Sequence, residues 1–225
     1  MPAPVERRRR PTFITLLLSS RILSALWAIL VVTSLLTAFD SVLPLFVRDT
    51  FHWDSLGAGL IFLPLAIPTF FSPLVGAVAD RYGSRWLSVS GFLLLVPLFV
   101  LLRFVTHHST SQIAVLCVLL LAISSCAMVV MTAIMAEMTY ALQAMDADSP
   151  GLFGRKGAYA QAYGLFNVAF SAGCLVGPIL AGLIRDSAGW AVMGWSLAVL
   201  SAFSVFTAAL WTGPSRSVPK WFRRV

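Results

Sequence analysis

Six apolar stretches, each about long enough to cross a bilayer, constrain this 225-residue chain more than any other feature. A hydrocarbon core about 30 Å thick needs roughly 20 apolar residues in a helix that rises about 1.5 Å per residue. The stretches run near 22–47, 57–79, 86–105, 113–140, 159–184 and 190–211. In lipid the backbone must satisfy its own hydrogen bonds, which leaves helices or closed barrels. Barrel strands are only about 10 residues long, so these lengths predict an all-α polytopic membrane protein with six spans. Composition agrees: 59% of residues are hydrophobic and 11% charged, where a soluble domain carries about 25% charged. The short run 13–20 cannot span and is expected to lie along the interface.

The charges set the expected orientation. With the N-terminus inside, the inner segments hold Arg7, Arg8, Arg9, Arg10, Arg21, Arg81, Arg85, Arg155, Lys156, Arg216, Lys220, Arg223 and Arg224. The outer side keeps Arg48, Arg103 and Arg185. Basic residues collect on the cytoplasmic side of a span, so both ends are expected there. Trp53 and Trp190 then sit at the outer interface, and Trp86 and Trp211 at the inner one. The chain divides into a basic leader (1–21), a six-helix domain (22–211) and a basic tail (212–225). The net charge of +7 flanks apolar segments, so it reads as topology and not as a nucleic-acid surface.

Several chemistries lack a carrier in the sequence. Cys117, Cys126 and Cys174 all fall within apolar stretches and read as small packing residues, not as a disulfide framework. Asn167, the sole asparagine, begins no glycosylation signal. Arg21 splits the first apolar run, which argues against a removed signal peptide. No His/Cys/carboxylate cluster has metal spacing, no glycine-rich loop would cradle a phosphate, and no serine–histidine pair points to proteolysis. Neither an enzyme nor a cofactor is expected. His107 and His108 read as solvated loop residues.

An internal echo marks the architecture. The second stretch ends Leu74-x-Gly76-x-x-x-Asp80-x-x-Gly83, and the fifth ends Leu180-x-Gly182-x-x-x-Asp186-x-x-Gly189. The copies fall on opposite membrane faces, as two three-helix units of inverted topology would place them. In the fifth stretch, Gly173, Gly177 and Ala181 form a small-xxx-small stripe, followed through Pro178 to Gly182, on which another helix can pack closely. A neighbouring face carries Ala160, Gly164, Asn167, Ser171 and Cys174. Pro44, Pro64, Pro68, Pro73, Pro97 and Pro178 lie within the stretches.

The inner loop Gly76-x-x-x-Asp80-Arg81-x-Gly83-x-Arg85 resembles the loop signature of the major facilitator superfamily. Together with the fifth-stretch glycines and the segment Phe39-Asp40-Ser41-Val42-Leu43-Pro44-Leu45, it makes the chain similar to the seventh to twelfth helices of such transporters. The pattern resembles fungal drug:proton antiporter-like members related to vesicular amine transporters. That resemblance implies half of a major facilitator fold and a secondary transporter working by alternating access. The loop aspartate would latch the two halves together. The cargo would be a small organic solute, with organic cations among the candidates, exchanged for protons. Twelve helices are expected in that family, so the resemblance also implies a partner: a missing N-terminal half, a second copy or a separate chain. The other reading is a truncated, non-transporting half or a regulatory subunit of a full-length transporter. Plasma and vacuolar membranes are both open.

Asp40 is the leading site candidate, on a stripe with Thr33, Thr37 and Pro44. A carboxylate inside a span is costly, about 2.5–3.5 kcal/mol at its centre, and calls for a partner or a function. Its position matches an acidic residue lining the cation site of vesicular amine transporters. Other acidic positions of those proteins correspond to Ala127, approximately, and Asn167 here, a departure that argues against a monoamine substrate. Tyr163 and Asn167 are expected cavity contacts. Glu137, near the inner end of the fourth stretch, reads as an interface residue or ion-pair partner. Met128, Met131, Met135 and Met138 recur at helical spacing and read as packing residues.

Overall fold

The computed structural model describes residues 16–106, 109–148 and 159–211. The start of the leader, His107, His108, the 149–158 connection and the tail lie outside the described residues, as do the side chains of Asp80, Tyr82, residues 146–148 and Trp211. The first span is α1 (Ser20–Phe51). The second comprises α2 (Ser55–Leu60), α3 (Leu63–Ala66), a 3-10 turn (Ile67–Phe71) and α4 (Ser72–Tyr82). The third is α5 (Ser84–Leu101), the fourth α6 (Thr110–Asp148), the fifth α7 (Tyr159–Ala188) and the sixth α8 (Trp190–Trp211). No strand occurs among the described residues. Of the run 13–20 only the last part is described, and there Leu16 is fully buried against the bundle.

The spans differ from the sequence expectation in one respect. The second is broken and not continuous, because its prolines are closely spaced. Pro64, Pro68 and Pro73 each open a new segment at its first or second position, where a missing N–H is harmless. Pro44, Pro97 and Pro178 instead lie inside intact helices.

Packing follows the inverted repeat. The first span lies along the fifth, the fourth along the second, and the third along the sixth, with the first and fourth in contact at the centre. Exchanging the two triplets leaves this list of pairs unchanged. The echo glycines make the corresponding corners. Gly83 (φ 90) and Gly189 (φ 87) are the positive-φ glycines of the described residues, in a region that side-chain-bearing residues rarely enter. The Gly83 N–H donates to the Ala79 carbonyl and the Gly189 N–H to that of Arg185, each at 2.9 Å, and the next helix starts at once.

Side-chain bonds show which ends share a face. Arg21, Glu137 and Ser84 meet at one end of the bundle, where Arg85 also donates to the Ala209 carbonyl at the end of the sixth span. At the other end Arg185 pairs with Asp49 at 2.5 Å, and the Trp190 indole donates to the Leu102 carbonyl at 2.9 Å. These are called the Arg21 face and the Asp49 face below.

Candidate functional site

Asp40 owes its setting to the way α1 buries nearly every other position around it. Leu35, Phe39, Val42, Leu43 and Phe46 are in the core. Leu36, Thr37, Asp40, Ser41 and Pro44 are left exposed or half-exposed along one side. The Asp40 carboxylate is exposed and has no hydrogen-bond or ion-pair partner among the described residues. Thr33 is not on this open stripe as the sequence implied. It is buried, with its hydroxyl unpartnered, because the fifth span lies over it.

The fifth span presses on α1 through its glycines. A Cβ at Gly173 would fall 2.6 Å from the Leu30 carbonyl oxygen, and one at Gly177 would overlap that of Ser34. The hydroxyls of Ser34 and Thr37 each reach the Gly173 carbonyl at 3.3 Å, and Ser41 donates to the Pro178 carbonyl at 3.1 Å. The Asp40 backbone is thereby fixed between two anchored neighbours. Ala181 is buried in the same stripe, whereas Gly182 is half-buried and a Cβ there would meet nothing.

The other two candidates lie at different depths. The Ser41–Pro178 bond sets the register, and Asn167 is eleven residues from Pro178 toward the Arg21 face. At about 1.5 Å per residue this is roughly 16 Å along the helix. Asn167 is exposed, with no side-chain partner among the described residues. Tyr163 is one turn further and joins the fourth span, its hydroxyl 3.3 Å from that of Thr139. Asp40, Asn167 and Tyr163 therefore do not share one ligand-sized cluster. They are spread along an open side of the first, fourth and fifth spans, which are mutual neighbours.

Ala127 is fully buried. The approximate correspondence thus falls on a packing position, and the nearby open side carries Ser125 and Met128 instead. The methionines also divide: Met128 and Met135 are on the open side or its edge, while Met138 is in the core and Met131 packs against it. The cysteines are free and half-buried.

Glu137 has two partners at the Arg21 face. Arg21 Nη2 donates to its Oε1 at 2.6 Å and Ser84 Oγ to its Oε2 at 2.5 Å. Ser84 opens the third span just after Gly83, so this carboxylate ties the loop motif to the first and fourth spans. Of the motif residues, Gly76 lies against Thr132, Gly83 makes the corner, Arg81 is exposed, and Arg85 caps the sixth span. Among the described residues no group of His, Cys, Asp and Glu has the proximity to hold a metal ion.

Comparison with known proteins agrees with this architecture. The sequence profile of the Major Facilitator Superfamily matches residues 25–225. The chain is 33% identical over 185 residues to the MFS-type transporter ppzB of Metarhizium majus, covering 80% of this chain and 40% of that protein. It is 32% identical over 186 residues to the protein of the same name from Metarhizium rileyi, covering 80% and 38%. An uncharacterized MFS-type transporter of Schizosaccharomyces pombe is 30% identical over 175 residues, covering 76% and 39%. The chain thus spans about two-fifths of the length of these relatives. With its six spans, inverted pairing and profile match, the chain is an integral membrane protein that belongs to the Major Facilitator Superfamily.

Proposed function

We propose that the chain is the solute-binding, C-terminal half of a secondary transporter that exchanges a small organic cation for protons by alternating access. The observation that carries this is Asp40: a carboxylate deep in a span, on an open side, without an ion-pair partner among the described residues. Intramembrane ionisable groups are expensive and line solute or proton pathways. Along the open side of the first and fifth spans, Thr37, Asn167 and Ser171 are small or polar, which suits a hydrated cavity better than a lipid contact. Relatives named as MFS-type transporters support transport as the activity. Both ends face the cytoplasm in this reading, on the Lys/Arg bias, in the plasma or vacuolar membrane. The rest of the cavity comes from a second six-helix unit, whether an N-terminal half, a second copy or a separate chain.

The test is uptake of ethidium, an organic cation, into proteoliposomes under an imposed pH gradient. The assay uses the chain alone and the chain with an N-terminal half. Uptake that follows the gradient, and that Asp40→Asn reduces at least about tenfold, is the expected result. Uptake indifferent to Asp40→Asn would remove its role. No uptake in any assembly would remove the transport reading for this form.

The second reading is a non-transporting half, or a regulatory subunit that associates with a full-length transporter. Co-purification with such a transporter, without uptake by the chain in any assembly, would establish it.

A further inference from the structure

We infer that a recess between the second and fourth spans binds the aromatic or other apolar portion of the solute, an inference that rests on the transport reading above. The recess measures about 320 Å³ and is lined by Pro68 and Phe71 from the 3-10 turn and by Leu121, Ser125 and Met128 from the fourth span, among others. That volume lies at the lower end of small-ligand sites, about 300–1,000 Å³. Its depth is central: the turn Ile67–Phe71 occupies the middle of the second span, Ser55–Ala79.

The wall is what distinguishes this recess from an ordinary lipid groove. Pro68 has no N–H to offer the carbonyl of Pro64, four residues back. At the same break the Ser124 hydroxyl donates to the adjacent Leu65 carbonyl at 2.5 Å, so a side chain of the fourth span bonds the interrupted backbone. Interrupted backbone at this depth is tolerated where it is buried in protein or lines a cavity, not where it faces acyl chains. Discontinuous spans mark solute sites in transporters for the same reason. The occupant is therefore the solute and not a lipid tail.

The lining sets the chemical class. No charged side chain lines the recess, and the Ser125 hydroxyl already donates to the Leu121 carbonyl at 2.7 Å. A strongly polar group entering here would lose its hydration without replacement. Phe71 and Met128 offer an aromatic ring and a polarisable thioether, which favour an aryl group. Asp40 is not part of the lining, so charge and shape are read at separate places.

The test is equilibrium binding to the full chain in lipid nanodiscs, with radiolabelled tetraphenylphosphonium as the cationic probe and triphenylphosphine oxide as the neutral one. Ser125→Phe and Met128→Trp each fill the recess and are expected to weaken both probes at least about tenfold. Asp40→Asn is expected to weaken only the cation. An aryl-diazirine analogue should label wild-type peptides spanning 67–75 and 121–129, which keeps the inference testable if a filled variant folds poorly. Neutral binding that survives both fillings, no saturable binding by wild type, or labelling of 67–75 and 121–129 by a photoactivatable phospholipid would overturn it. Saturable aryl binding without any ethidium uptake would remove transport and keep the recess as an aryl site. Uptake that both fillings leave unchanged would remove the recess alone.

Discussion

Glu137 is the one charged side chain buried among the described residues, and its surroundings explain how it is tolerated. A buried carboxylate needs a counter-charge and hydrogen bonds to its remaining lone pairs. Arg21 and Ser84 supply one of each. Removing one partner of a fully buried pair costs about 3–5 kcal/mol. Arg21 is one-third exposed, so solvent takes up part of the loss, and on the order of 2 kcal/mol is expected for Glu137→Ala. Glu137→Gln keeps a hydrogen-bonding group and should cost less, and Ser84→Ala about 1 kcal/mol. Thermal unfolding in detergent, followed by tryptophan fluorescence, checks the order Ala, Gln, wild type. Equal melting of Glu137→Ala and wild type would show that the node does not hold this face together. Residue type and span position were enough to read Glu137 as an interface residue or ion-pair partner, and it is the ion pair that forms. Its partners were not legible, because Arg21 and Ser84 lie 116 and 53 residues away and meet it only once three helices are in register. The spacing of Asp40, Asn167 and Tyr163 escaped for the same reason: depth depends on the Ser41–Pro178 contact, which no local pattern encodes.

Helix by helix, sequence periodicity is most informative where two backbones touch. The stripe Gly173, Gly177 and Ala181 could be read as a packing surface, and α1 occupies it. Small-to-large changes there act against packing. A Cβ at Gly177 would overlap the Ser34 carbonyl and come within 2.5 Å of Thr37 Oγ1. Helix propensity alone would make Gly→Ala favourable by about 0.5–1 kcal/mol, but overpacking costs about 1–3 kcal/mol. Gly177→Ala should therefore destabilise and Gly177→Val more so, whereas Gly182→Ala, which meets nothing, should be neutral or stabilising. Melting temperatures of the three variants decide this, and a gain in Gly177→Ala would contradict the close approach. The second span shows the opposite limit of legibility. Its prolines were visible in the sequence as residues within a span, but their effect was not. Whether a proline kinks, is absorbed or divides a helix depends on whether a neighbour replaces the lost bond. Here the bond lost at Pro68 is the one to the Pro64 carbonyl, and Ser124 of the fourth span bonds the adjacent Leu65 carbonyl.

For the whole molecule, the distribution of burial identifies the unfinished sides. The most apolar window of the first span is 67% buried within the chain, against 11% for the second and 22% for the fifth. Those two spans occupy equivalent places in the inverted repeat and flank the pair at the centre. Their exposed side chains include Phe70, Leu74, Leu175 and Leu183, while the third and sixth spans expose Leu94, Val199 and Phe206. Exposure alone does not separate lipid contacts from a partner, since both are apolar. Symmetry adds the argument: a second unit completing a cavity beside Asp40 must approach the open side of the first and fourth spans, and its flanks then rest on the second and fifth. Single cysteines at positions 74 and 175, in a background lacking Cys117, Cys126 and Cys174, are expected to cross-link to a co-expressed second unit. Cysteines at 94 and 199 should instead remain open to a lipid-soluble maleimide. The same reagents on the chain alone distinguish the assemblies, because symmetric cross-links at 74 or 175 identify a second copy as the partner. Cross-links confined to positions 94 and 199 would place the partner on the opposite side, away from Asp40, and would leave no shared cavity for a solute to cross.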